Sequence, residues 1–283
     1  SIPFTRSTLI PLILLSPPRV NFAAKLIRWQ QLHGRHHLPW QNTRDPYPVW
    51  LSEIMLQQTQ VATVVPYYLR FLQRYPDISD LALAPLDEVL ALWSGLGYYA
   101  RGRNLHQAAQ WIVSHHGGEF PRDPAAIQQL PGIGRSTAAA IAVFAYGEQC
   151  AILDGNVKRV FARCFGIDGY PGEKNTETLL WCKAEQLLPG KIQGQIETYS
   201  QALMDLGATV CTRSKPSCLL CPLGAVLMVG FVPVAHGLLE GVWTVADAWL
   251  WRALALGGVE LGLVGRGVAG GADGADGVPA ASE

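Results

Sequence analysis

With 283 residues the chain is long enough for one large or two modest domains, each with its own core, and its 22 basic and 22 acidic residues cancel. The cancellation hides a split: residues 224–283 hold six acids and two bases, which leaves 20 bases against 16 acids before them, a net of +4 that permits nucleic-acid binding without requiring it. Six cysteines, three bunched at Cys211, Cys218 and Cys221 and the others alone in apolar stretches predicted to be helical, exclude a disulfide framework and fit a reducing cytosol, and no apolar run is long enough to span a bilayer.

Residues 1–20 read as a disordered extension. A short apolar run at 8–15 follows Arg6, but it contains Pro11, precedes Pro17-Pro18 and lacks the small-residue cleavage site of a secretion signal. From residue 22 to 223 apolar residues recur at three- and four-residue spacing. Breaks fall at Pro39, Asp45-Pro46, Pro76-Asp77, Gly117-Gly118, Pro121 to Pro124, Pro131-Gly132, Pro171-Gly172 and Pro189-Gly190, and strict alternation is never sustained. The pattern predicts an all-α protein of about ten helices with no internal repeat.

The first of these helices to carry chemistry contains Trp50-Leu51-Ser52-Glu53-Ile54-Met55-Leu56-Gln57. Helical spacing carried on to Gln60 puts Gln57 and Gln60 on the Glu53 side, one and two turns later. A lone Glu on a helix is ordinarily solvated, but a carboxyl in apolar company has a raised pKa and stays protonated near neutrality, as a general acid must. Next, Gly95-Leu96-Gly97-Tyr98-Tyr99 is a turn carrying an aromatic pair, of which one is expected in the core and Tyr98 exposed.

Leu130-Pro131-Gly132-Ile133-Gly134-Arg135-Ser136-Thr137 then runs into an Ala-rich helix. Gly132 and Gly134 can present bare backbone N–H groups at its N-terminus, where the dipole favours a phosphate. In Ile152-Leu153-Asp154-Gly155-Asn156-Val157-Lys158-Arg159, Asp154 stands at a capping position before a second helix whose first turns carry two cations. Cys211-x6-Cys218-x2-Cys221 closes this region. Residues 224–283 are rich in Gly, Ala and Val, hold no Lys and end in low complexity.

These segments, together with Leu38-Pro39-Trp40 and Met204-Asp205-Leu206-Gly207-Ala208, resemble in their order the helix-hairpin-helix DNA glycosylases, and most closely the adenine DNA glycosylases of the MutY type. The resemblance covers about residues 20–223 and stops there. It implies a two-domain all-α fold, with a six-helix domain at 38–148 that contains the hairpin. Residues 21–37 plus 149–223 would form a second, iron–sulfur helical domain, with the active site in the cleft between the two. The implied activity is monofunctional hydrolysis of the N-glycosidic bond of adenine mispaired with 8-oxoguanine or guanine in double-stranded DNA, leaving an abasic site. The expected enzyme is a cytoplasmic monomer with no membrane association.

The same resemblance implies roles residue by residue. Glu53 would protonate the adenine at N7 and later handle the water, and Asp154 would stabilise or trap the positive charge on the sugar. Asn156 would orient Asp154 or donate to the DNA backbone. Lys158 and Arg159 would contact phosphate, as would the hairpin glycines Gly132 and Gly134. Tyr98 would wedge into the duplex while Gln57 enters the stack, and Arg35 and Trp40 would wall the pocket. Ser136 stands where the endonuclease III group has a Schiff-base lysine, so strand cutting is not expected.

Cys211, Cys218 and Cys221 match three ligands of a [4Fe-4S] cluster, but the fourth position holds Leu227, which leaves occupancy of the cluster open. Nothing after residue 224 resembles the family's second recognition domain, so weaker discrimination of 8-oxoguanine from guanine is expected. Two alternatives stay open: an endonuclease III-type bifunctional glycosylase of damaged pyrimidines, and an inactive truncated product that only binds DNA.

Overall fold

The computed structural model describes residues 22–224; the N-terminal extension, Leu227 and the tail beyond Gly224 lie outside the described residues. All regular structure among the described residues is helical. The elements are α1 (Phe22–His33), a 3-10 turn (Pro39–Asn42), α2 (Pro46–Leu56), α3 (Val61–Arg74), α4 (Ile78–Leu83), α5 (Leu86–Trp93), α6 (Tyr99–His116), α7 (Pro124–Gln128), α8 (Arg135–Tyr146), α9 (Gly155–Phe165), α10 (Lys174–Gln186), α11 (Gln195–Thr209) and a second 3-10 turn (Cys218–Leu220).

Aspartates start four of these helices. Asp45, Asp77, Asp123 and Asp154 each accept a backbone N–H of the first turn, from Tyr47, from Ser79 and Asp80, from Ala125 and from Val157 respectively. Pro46 and Pro124 follow their caps directly, where a missing N–H costs nothing and the fixed φ suits the helix. Each cap is worth roughly 1 kcal/mol.

Two apolar cores form on either side of α8. Trp50, Tyr68, Phe71, Trp93 and Leu105 fill the first, built from α2 to α8, while Phe22, Leu26, Phe161, Leu180, Tyr199 and Leu206 fill the second, built from α1 and α9 to α11. Helix α8 serves both: Ala138, Ile141 and Ala142 face the first core, and Ala139, Ala140 and Val143 face the second. Its alanine-rich composition follows, because a helix packed on two sides has no room for large side chains.

Long-range ion pairs reinforce the packing within and between the two sides. Arg35 reaches the fully buried Asp205 of α11, Arg44 reaches Glu197 of α11 at 2.8 Å, and Arg135 pairs with Glu185 of α10.

Three local expectations are corrected. Helix α2 stops at Leu56: Gln57 is its C-cap and Gln60 is the N-cap of α3, so Glu53, Gln57 and Gln60 do not share one helix. Tyr98 and Tyr99 are both exposed, at 60% and 42%, so neither is a core residue; the core aromatic beneath the turn is Trp93, whose Nε1 donates to the Gly97 carbonyl. Cys150 lies in the connection between α8 and α9 and not in a helix.

Candidate active site

A cavity of about 1100 Å³ opens between the two cores. Glu53, Gln57 and Gln60 enter its lining from α2 and the turn after it, Trp40 and Arg35 from the segment before α2, Ser136 from α8, and Asp154 and Asn156 from the start of α9.

Asp154 is held from several directions. Its Oδ1 accepts the Val157 backbone N–H at 2.7 Å and its Oδ2 accepts the Asn156 side-chain amide at 3.1 Å. The residue before it is fixed too, because the Leu153 N–H donates to the Ser136 hydroxyl at 3.0 Å. Asn156 is oriented in turn by Arg159, whose Nη2 donates to its Oδ1 and to the Gly207 carbonyl, while Nε donates to the Cys211 carbonyl. Gly207 makes this approach of α11 and α9 possible: a Cβ there would meet the Asn156 Cβ at 2.5 Å and its Cα at 3.0 Å.

Burial pushes the Glu53 carboxyl up to about 8, with the nearby Asp154 charge adding to the effect. Burial also raises Asp154, but hydrogen bonds from Val157 and Asn156 and the Arg159 charge pull against it. The two carboxyls are therefore unequally surrounded: Glu53 keeps its proton at neutral pH, while Asp154, also raised overall by burial, is the one with hydrogen bonds and a cation that work in favour of its anion. That is the arrangement an acid and an anionic stabiliser need.

On the opposite wall, Arg35 is fixed by Asp205, which accepts from the Arg35 backbone N–H at 2.9 Å and from its Nε at 2.7 Å, while Gln201 donates to the same carboxylate at 2.9 Å. Trp40 is buried, with its ring edge-on to Tyr68.

The other named residues lie elsewhere. Tyr98 does not line the cavity and stands exposed before α6, in a left-handed conformation with φ +48°. Lys158 Nζ is engaged by Glu177 of α10 at 2.6 Å, and Arg159 spends its guanidinium on internal carbonyls and Asn156. The hairpin turn before α8 has Gly132 at φ +76°, packed so closely on Asn104 that a Cβ would meet its side chain at 2.8 Å, and Gly134 as the N-cap.

A model of the HhH-GPD superfamily of base excision DNA repair proteins matches residues 51–186. An adenine DNA glycosylase of Buchnera aphidicola subsp. Baizongia pistaciae is 46% identical over 202 residues, which are 71% of this chain and 56% of the relative. A human adenine DNA glycosylase is 44% identical over 211 residues, covering 71% of this chain and 38% of that protein. The solved structure of a thermostable thymine-DNA glycosylase is 32% identical with a TM-score of 0.65, covering 72% of this chain and 93% of that one. The chain belongs to the HhH-GPD superfamily. It spans about half the length of the curated Buchnera relative.

Within this HhH-GPD fold the spacing argument missed the α11 side of the cavity. Glu197, Thr198, Gln201 and Met204 all line it, and Glu197 has one carboxylate oxygen on Arg44 and the other buried without a partner. The signal available in sequence was the helical three- and four-residue spacing of these positions, which carries no indication of what they face.

The iron–sulfur cluster implied by the resemblance needs four thiolates. Cys211, Cys218 and Cys221 follow α11 in one loop, with Cys218 exposed and the Cys211 sulfur accepting from Arg163 at 3.4 Å. No group of three or more His, Cys, Asp or Glu among the described residues is arranged to hold a metal ion. Three thiols in this arrangement do not fit a complete four-thiolate cluster.

Proposed function

We propose that residues 22–224 form the catalytic part of an adenine DNA glycosylase that removes adenine mispaired with 8-oxoguanine or guanine and leaves an abasic site. The observation that carries this reading is the pair of unequal carboxyls, Glu53 and Asp154, facing one cavity between the two cores. Adenine turned out of the duplex enters the cavity past Gln57. The Glu53 acid gives its proton to N7, the glycosidic electron pair leaves with the base, and the positive charge left on the sugar faces the Asp154 carboxylate. The Glu53 carboxylate then takes a proton from the water that bonds to C1′. Ser136 offers no amine for a Schiff base, so the strand stays intact.

The two cores, divided at about residues 38 and 148, are read as the two domains of the fold. The partner is double-stranded DNA bound along the hairpin face by a cytoplasmic monomer. Single-turnover excision on an 8-oxoguanine:adenine duplex, split between mild heat and hot alkali, tests the function. Alkali-dependent breakage is expected; breakage without alkali favours the bifunctional alternative, and none at all removes the reading. Lacking a fourth thiolate at position 227, the Cys211, Cys218 and Cys221 set is expected to retain fewer than four irons per chain on purification, and four irons per chain by metal analysis would overturn this.

A further inference from the structure

Arg101, in the first turn of α6, is buried, yet it lies outside the cavity and has no part in the chemistry above. Its Nη1 donates to the carbonyls of Ile54 at 3.0 Å, Met55 at 2.8 Å and Gln57 at 2.6 Å, which are the last turn of α2 and its exit. Its Nη2 donates to the Thr59 hydroxyl at 3.0 Å and to the carbonyls of Leu96 and Gly97 at 3.2 and 3.3 Å. The guanidinium also stands 5.4 Å from the Tyr98 ring centroid.

One planar fork thus joins the segment at residues 54–59 to the turn at residues 96–98. Each contains a left-handed non-glycine residue, Gln58 at φ +55° and Tyr98 at φ +48°, and among the described residues these are the two such positions. A conformation of this kind persists only where its surroundings over-determine it, and the six Arg101 bonds supply that on both sides. They also answer the carbonyls left open where α2 ends.

We infer that Arg101 is a positioning residue that couples the exposed Tyr98 turn to the end of α2, so that an aromatic entering the duplex and the setting of Gln57 and Glu53 against the flipped base are one mechanical event. The inference rests on the glycosylase reading above. Force on Tyr98 reaches the Leu96 and Gly97 carbonyls, then the guanidinium, then Met55, two residues beyond Glu53. A lysine keeps the charge but cannot span both segments, since an ammonium lacks the five fixed donors of the fork.

The test is a double-mutant cycle on the full chain between Tyr98→Ala and Arg101→Lys. Base flipping is read by stopped-flow fluorescence of 2-aminopurine opposite 8-oxoguanine, and excision by single turnover on the adenine duplex. Each single variant is expected to slow flipping about tenfold, and the double variant no more than the slower single. Effects that multiply would overturn the inference, because a loss of folded protein acts regardless of Tyr98. Thr59→Val, which removes one acceptor and leaves the guanidinium, is cycled against Tyr98→Ala in the same way and decides the matter if Arg101→Lys does not fold. Wild-type protein that flips 2-aminopurine but excises no adenine would sink the functional reading alone.

Discussion

Glu53 carries a proton in the folded protein at pH values where an ordinary glutamate has lost it, and this has consequences for rate and for stability. Excision is expected to fall about tenfold per pH unit above about 8, as the acid is lost, and to fall again on the acid side as Asp154 is protonated; a flat single-turnover profile between pH 7 and 9.5 would argue against the assignment. Glu53→Gln is expected to cut excision by about a thousandfold or more while DNA binding by gel shift is kept. The sign of the stability effect follows from linkage. The folded carboxyl holds its proton up to about 8 and the unfolded one only to 4.5, so the wild type loses stability as pH rises through that window, and the glutamine variant does not. The stability advantage of the variant should therefore be larger at pH 8.5 than at 5.5 in urea unfolding, and an advantage independent of pH would remove the buried-acid explanation. Glu53 and Asp154 were legible in sequence because their apolar neighbours and capping position are local. Asp205, Glu197 and Glu177 were not legible as partners of Arg35, Arg44 and Lys158, because each pairing joins separate segments of the chain.

At the scale of elements, the helix boundaries and their aspartate caps were readable from Pro and Gly, but the early stop of α2 was not. Nothing local ends that helix: the run from Trp50 through Gln60 keeps its helical period, and the donor that takes its last carbonyls lies on α6. The contact of α11 with α9 is likewise invisible in spacing, although Gly207 marks it. Gly207→Ala places a methyl against the backbone that carries Asn156, so it is expected to displace the start of α9 and slow excision about tenfold or more while the protein remains folded. Circular dichroism and single-turnover rates measured on the same sample check this, and a near-normal rate would mean that the helices separate without moving Asp154.

For the molecule as a whole, the all-helical class followed from period alone, whereas the placing of the cavity depends on α8 serving two cores and on ion pairs such as Arg44 with Glu197 that cross between them. The deepest clasp lies within the second side, where Arg35, just after α1, meets Asp205 of α11, whose carboxylate is fully buried and also accepts from Gln201. Asp205→Asn leaves a guanidinium without its counter-charge and is expected to cost about 3–5 kcal/mol in urea unfolding, with loss of excision as the Arg35 wall shifts. A change below about 1 kcal/mol would mean that the second core holds α1 and α11 together unaided.

The same clasp sets an order on synthesis. Arg35 and Asp205 are 170 residues apart, and although Phe22 of α1 meets Phe161 and Phe165 of α9, the packing of α1 on α11 waits until α11 has been made. At about 5–20 residues per second, the interval between them on the ribosome is about 10–30 s. The first core, built largely from α2 to α8, is complete well within that interval, so α1 waits beside a finished neighbour, touching α9 but with its α11 face uncovered, until the far end of the chain arrives.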